Sequence, residues 1–243
     1  MDEAISRALA AGEPVQDTEV DDADLRAALR ATSGPLHLRR CRVVGAGDGP
    51  DLHGLDLSGA VLEQCVLPGA NLRGAVLDSA RITGGDLSEA DLADADLTDA
   101  VLDTVDLHRA RLVGALLTDT RFDDCRMFGA DLSGLRSLAV TFTLDGSNLA
   151  LANLQDAALR GVRLRGVDLS EADLRGTDLR DAVLVDCRLR DVDLSFTRLE
   201  GADLRGADLG ALTPDAPRRL RGAVISAAQA ADVCRALGVV VVG

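Results

Sequence analysis

From Leu52 to Leu132 every fifth residue is a large apolar one: always Leu, except for Ile82, Phe122 and Met127. A second block runs in the same step from Leu144 to Leu209, and there every such residue is Leu. Two positions before each sits a small or medium apolar residue, as at Ala60, Ala70, Ala95, Ala172 and Ala202; Cys41, Cys65, Cys125 and Cys187 take the same slot. Asp or Asn often lies between the two, as at Asn71, Asp91 and Asp173. In an extended chain alternate residues point the same way, so the small and the large residue share one side. The other two residues are polar or Gly, as a turn needs. Each pentapeptide therefore reads as a very short strand plus a corner. A helix of 3.6 residues per turn would smear the leucines around its cylinder.

Only 2% of the residues are aromatic, with no Trp and no Tyr, which suits a narrow interior of uniform width. The A-(D/N)-L-x-x pattern resembles the pentapeptide-repeat family. That resemblance implies an all-β solenoid, a right-handed quadrilateral β-helix with four pentapeptides per coil and short capping helices at the N- and C-termini. At about 4.8 Å per coil, roughly nine coils would make a rod of about 45 Å.

The segments divide as follows. Residues 1–13 form an N-terminal capping helix, on the spacing of Ala4, Ile5, Ala8 and Leu9 with Gly12 as stop. Residues 14–50 are imperfect first coils with loops: Val15, Val20 and Leu25 keep the five-residue step, 26–35 breaks it, and Leu38 and Val43 resume it. The regular blocks are 51–132 and 144–225. Between them, 133–143 is an interruption two residues longer than whole repeats allow. It is either a bulged corner or a loop offering Leu135, Arg136 and Leu138 to a partner. Residues 226–243 are a helix and tail, with Ser226 and Gln229 spaced as a capping box. Val239–Val242 reads as a bare apolar strand, which a two-fold interface through Ala230, Val233, Cys234, Leu237, Val239, Val240 and Val241 would cover; an intramolecular cap is the alternative. The ending GAVISAAQAADVCRALGVVVV resembles the dimerisation module of the gyrase-interacting MfpA and Qnr branch of the family.

Formal net charge is −14, and all 26 basic residues are Arg. This balance disfavours direct nucleic-acid binding and anionic membranes and favours a basic protein partner. Met1–Ala11 lacks the apolar stretch of a signal peptide, and no run approaches the ~20 residues of a membrane span, so a cytoplasmic location is expected. Cys pairs are not spaced by the twenty residues of one coil, and His37, His53 and His108 sit at outward positions without metal-ligand spacing. No nucleophile–base pair or phosphate loop emerges, and we expect no catalytic residues, no metal and no cofactor.

Charge is uneven. Residues 50–132 hold 16 acidic and 6 basic residues; residues 144–209 hold 13 and 9. With four faces, one face of the first block presents Asp56, Asp78, Asp96, Asp99 and Asp119 with no Arg, and the next adds Glu63, Asp103, Asp123 and Asp124 against Arg81 and Arg121. Either a soluble surface has drifted acidic, or the face receives a basic groove. The branch resemblance implies the second: a DNA mimic binding a type II topoisomerase, DNA gyrase, and modulating it or protecting it from inhibitors. An adaptor that docks an unrelated protein through Phe128, Phe196 or the interruption is the competing expectation.

Overall fold

The computed structural model describes residues 5, 7, 8, 11, 13–31, 34–135 and 142–242. The chain winds as a right-handed parallel β-solenoid. One side of the rod is a continuous nine-stranded parallel sheet. Its strands are β1 (Val15–Gln16), β3 (His37–Arg39), β5 (Val61–Glu63), β6 (Arg81–Thr83), β7 (Val101–Asp103), β8 (Arg121–Asp123), β9 (Thr143–Asp145), β10 (Arg163–Arg165) and β11 (Val183–Val185). We call this face 1. A separate pair, β2 (Glu19–Asp21) and β4 (Arg42–Val44), lies beside it.

Single parallel bridges hold the other three sides. Face 2 runs through Val66, Asp86, Asp106 and Arg126; face 3 through Asn71, Asp91, Arg111 and Asp131; face 4 through Asp56, Val76, Asp96 and Leu116. The face 1 ladder continues through Asp203 and Val224. Ten steps of about 4.8 Å make the rod about 48 Å long.

The corners explain the repeat. After Leu67 on face 2, the Ala70 N–H donates to the Leu67 carbonyl at 3.2 Å, and Gly69 has φ +64°, the features of a type II turn. The equivalent residue is left-handed at corner after corner even without Gly, as at Ser79, Asp94, Asp99 and Phe196. The Asp or Asn before each central Leu is structural too. Its side-chain oxygen accepts the backbone N–H two residues on, as Asp91 does from Ala93 at 3.0 Å. Inside, large residues alternate with the small slot, and polar members of that slot bond along the rod axis. Thr120 Oγ1 donates to the Leu97 carbonyl at 2.8 Å, and Cys125 Sγ to that of Leu102 at 3.4 Å.

Coils advance by twenty residues in the regular blocks (Leu62 on Ile82) and by twenty-two across the interruption (Phe122 on Leu144, Asp131 on Asn153). Faces 1, 2 and 3 keep register there, so the two extra residues fall on face 4.

The ends depart from expectation in places. Ile5, Arg7, Ala8 and Ala11 are helical as expected. Leu25, read as a coil position, instead lies on helix α1 (Asp22–Ala31), where it and Ala28 are buried. Asp21 caps that helix by accepting the Ala23 N–H at 2.9 Å, and Asp22 and Asp24 lie in its first turn, so helix wins over a continued strand. At the other end come α2 (Ala216–Arg219) and α3 (Ala227–Ala236). The capping box is formed: Gln229 N–H donates to Ser226 Oγ at 3.2 Å and Ser226 N–H to Gln229 Oε1 at 2.7 Å. Gln229 Nε2 also donates to the Leu204 and Ala207 carbonyls, both at 2.8 Å, which ties α3 to the last coil. Val239–Val242 forms no strand; it is an exposed apolar tail.

A candidate acidic docking edge

Face 4 of the first block contains no Arg: its coils read Asp56–Ala60, Val76–Ala80, Asp96–Ala100 and Leu116–Thr120. Asp78, Asp99 and Asp119 sit at its corner with face 1. On face 1, Asp103 pairs with Asp123 and Asp123 with Asp145 in direct register, which stacks three carboxylate residues on consecutive strands. Asp124 stands at the next corner, its carboxylate against Gly146 of the following coil. These acidic residues occupy the adjacent faces 4 and 1, from Asp56 and Asp96 on face 4 to Asp124 at the far corner of face 1. Asp145 belongs with them; sequence spacing missed it because the interruption shifts the count by two.

The members differ in their ties. Asp56 and Asp96 each accept the backbone N–H and hydroxyl two residues on, from Ser58 and Thr98, so they build corners as well as charge. The Ser58 bonds hold the Asp56 carboxyl below its usual range. Glu63 pairs with Arg39 at 3.2 Å and Asp123 with Arg121 at 3.7 Å. The side chains of Asp99, Asp103, Asp124 and Asp145 make no hydrogen bond or ion pair among the described residues.

In the second block seven of the thirteen carboxylates pair with Arg, among them Arg160–Asp181 at 2.8 Å, Arg188–Asp168 at 3.2 Å and Arg190–Asp208 at 2.6 Å. Asp173, Asp178 and Asp203 are bonded by the Arg two residues on, which pulls their carboxyls down, Asp203 to about 2. In the first block such pairs include Arg126–Asp106 at 2.8 Å and Arg73–Asp94 at 2.9 Å on faces 2 and 3, besides the Glu63 and Asp123 pairs on face 1. Uncompensated negative charge therefore concentrates on the 4/1 edge of the N-terminal half.

Other expected features land as follows. Leu135 is buried in a small-residue slot rather than offered outward; Arg136 and Leu138 lie outside the described residues. Ala230, Val233 and Cys234 are half-buried on α3, while Leu237 and the valines are exposed. Cys41 and Cys65 do stack on adjacent coils, contrary to the spacing argument, because the first coils advance by twenty-four residues (Leu38 on Leu62). Burial pushes the Cys65 thiol up to about 11 and Cys125 to about 12. His37 is half-buried, with no hydrogen-bond partner for Nε2 among the described residues, and His108 stacks flat on Phe128 with ring centroids 5.5 Å apart. No helix among the described residues is long and apolar enough to cross a membrane.

Known proteins place this geometry. Two trypsin-treated forms of QnrB1, described as a plasmid-mediated fluoroquinolone resistance protein, share the fold. One is 24% identical with a TM-score of 0.55, covering 79% of this chain and 97% of its own. The other is 19% identical with a TM-score of 0.52, covering 94% and 97%. HetL of Nostoc sp. strain PCC 7120, a pentapeptide-repeat protein involved in heterocyst differentiation regulation, superposes more loosely: 28% identity, TM-score 0.40, coverage 83% and 93%. No curated protein sequence matches the chain. Pentapeptide repeats match as eight copies over residues 56–94, 95–134, 147–186 and 187–209, more than half of the sequence. This chain belongs to the pentapeptide-repeat family.

Proposed function

We propose that the chain is a DNA-mimicking binder of a type II topoisomerase, DNA gyrase, and that it modulates the enzyme or protects it from quinolone-like or natural-product inhibitors. The observation that carries this reading is the uncompensated acidic edge. Duplex DNA presents phosphates every 3.4 Å along each strand. The edge offers carboxylates at coil steps of about 4.8 Å. A basic saddle built for DNA would meet charge of the right sign on a rigid surface. The description of QnrB1 as a fluoroquinolone resistance protein supports the choice of drug class. The role is binding, without a catalytic step, in the cytoplasm where gyrase works. A two-fold association through Ala230, Val233, Cys234, Leu237 and Val239–Val241 would double the rod.

The test is a gyrase supercoiling assay with and without ciprofloxacin. The wild-type chain should inhibit supercoiling or preserve it against the drug at micromolar protein. Replacing Asp99, Asp103, Asp124 and Asp145 together by Asn should weaken that effect by about tenfold or more, at a few tenths to one kcal/mol per exposed pair. No effect of the wild-type chain in either arm refutes the reading. An adaptor role through Phe128 and Phe196 has the exposure of both rings in its favour and would leave supercoiling untouched.

A further inference from the structure

The last coil is covered on one side and open on another. Toward faces 1 and 2, the Gly201 N–H meets the Gly222 carbonyl at 2.9 Å, and Gln229 of α3 takes up the Leu204 and Ala207 carbonyls. Face 3 differs, because the chain leaves the rod at Gly210 and turns into α2. One coil earlier on that face, Leu174 donates its N–H to the Asp193 carbonyl and Gly176 to that of Ser195, at 3.1 and 3.0 Å, while the Ala172 carbonyl accepts the Asp193 N–H at 3.2 Å. The equivalent groups of the last coil are the Leu194 and Phe196 N–H and the Val192 carbonyl. None of the three has a partner among the described residues. Such an unpaired edge is a template for another extended chain.

There is room for one. An open groove of about 370 Å³ lies between Leu194–Thr197 and α2, where Asp215, Arg218 and Arg219 wall it. It adjoins an apolar hollow of about 280 Å³ lined by Leu189, Val192, Leu194, Leu212 and Leu220. At an equivalent corner the side chain leans over the next coil, as Asp156 does against Gly176. Phe196 has no coil to lean on and is 91% exposed at the lip of the groove.

Charge narrows the choice of occupant. Arg219 pairs with Asp215 at 2.6 Å, but the Arg218 side chain has no hydrogen bond or ion pair among the described residues. The wall therefore carries one spare positive charge, on a chain whose formal net charge is −14. A strand added in parallel would donate one N–H to Val192 and return carbonyls two residues apart to Leu194 and Phe196. Its residue between those carbonyls would point into the hollow, and the next would come within reach of Arg218. We propose that this edge binds, by strand addition, an extended segment of a different protein in which an apolar residue is followed by a carboxylate. The apolar side chain fills the hollow over Leu194, the carboxylate meets Arg218, and Phe196 packs on the added backbone. The site is independent of the acidic side of the rod and gives it a second kind of contact.

The test uses the full chain and a fluorescein-labelled, amidated peptide, Gly-Ser-Leu-Glu-Ser-Gly, read by fluorescence anisotropy and residue-resolved amide exchange. Saturating peptide should slow exchange at the Leu194 and Phe196 amides by at least ~10-fold. Methylating the Ser nitrogen, whose N–H would go to Val192, should weaken binding about tenfold, whereas methylating the Leu nitrogen, which points away from the edge, should not. Arg218→Glu should weaken binding about two- to fivefold, and a peptide with Lys in place of Glu should recover it. No saturable binding up to ~1 mM peptide, or equal losses from the two methylations, overturns strand addition. Unchanged affinity in Arg218→Glu overturns the acidic occupant. Slow exchange at both amides in the chain alone means that its own tail or a second copy already fills the edge, and refutes the foreign segment.

Discussion

Asp123→Asn should make the protein more stable, and the size of the gain follows from the ladder. Asp123 sits between Asp103 and Asp145 in strict register. Two unit charges at the ~4.8 Å strand spacing repel by about 0.9 kcal/mol in the dielectric of bulk water. Two such neighbours give about 1.7 kcal/mol. The exposed pair with Arg121, at 3.7 Å, returns about 0.5 kcal/mol that the substitution forfeits. The net gain is about 1 kcal/mol, a rise in Tm of about 2–4 °C for a chain of this size. Asn keeps the shape, so packing does not confuse the comparison. Differential scanning calorimetry at about 10 mM and about 1 M salt reads the effect. At the higher salt the screening length, about 3 Å, is shorter than the strand spacing, and the gain should vanish. A lowered Tm, or a gain indifferent to salt, would refute the claim that mutual repulsion burdens this edge. The same substitution should weaken gyrase binding. Opposite signs for stability and binding are what a surface kept for a partner requires.

Two further predictions test the coil itself. Gly85→Ala should cost about 2–5 kcal/mol, since φ is +93° and the new Cβ would lie 2.2 Å from the Cys65 carbonyl oxygen. Gly74→Ala has φ +62° and open space, and should cost only ~1–2 kcal/mol; urea midpoints that failed to separate the two would contradict the geometry. Acid should also weaken the second block. The folded carboxyls of Asp173, Asp178 and Asp203 are depressed, Asp203 to about 2, below the ordinary value of about 3.9. Their stabilisation is full above about pH 4 and lost as pH falls through about 2, because the unfolded chain takes up protons first. Tm followed by circular dichroism should fall across that window, and Arg205→Gln should flatten part of the fall; a rising Tm would refute it.

The five-residue step made the corners and the interior columns legible in the sequence, while the four faces, and with them the acidic side, came from the family resemblance. The step failed where its frame changes. Val15 and Val20 are true coil positions, but Leu25 keeps step by coincidence, and Leu25, Ala28 and Leu29 also carry the helical spacing that prevails. The stacking of Cys41 on Cys65 and the place of Asp145 depend on coil lengths of twenty-four and twenty-two residues, which no fixed period contains. The end of the regular coils was hidden for another reason. Leu209 and Leu220 look like ordinary coil positions, and only the hydrogen-bond pattern shows that the Leu194 N–H has no acceptor among the described residues. The repeat showed Asp and Asn as a fixed slot before the central Leu, but not that the side chain there accepts the N–H two residues on and so builds the corner.

The two additional residues between Leu135 and Phe142 show how such a rod tolerates change. Inserted within a strand, two residues would shift the pairing of every residue beyond them in that strand. Here each turn of the chain closes on itself, so the slip is quarantined on one side of one turn, and Leu144 lands on Phe122 as though nothing had been added. Lineages of this architecture can therefore edit the outside of a single turn without relearning the interior beyond it.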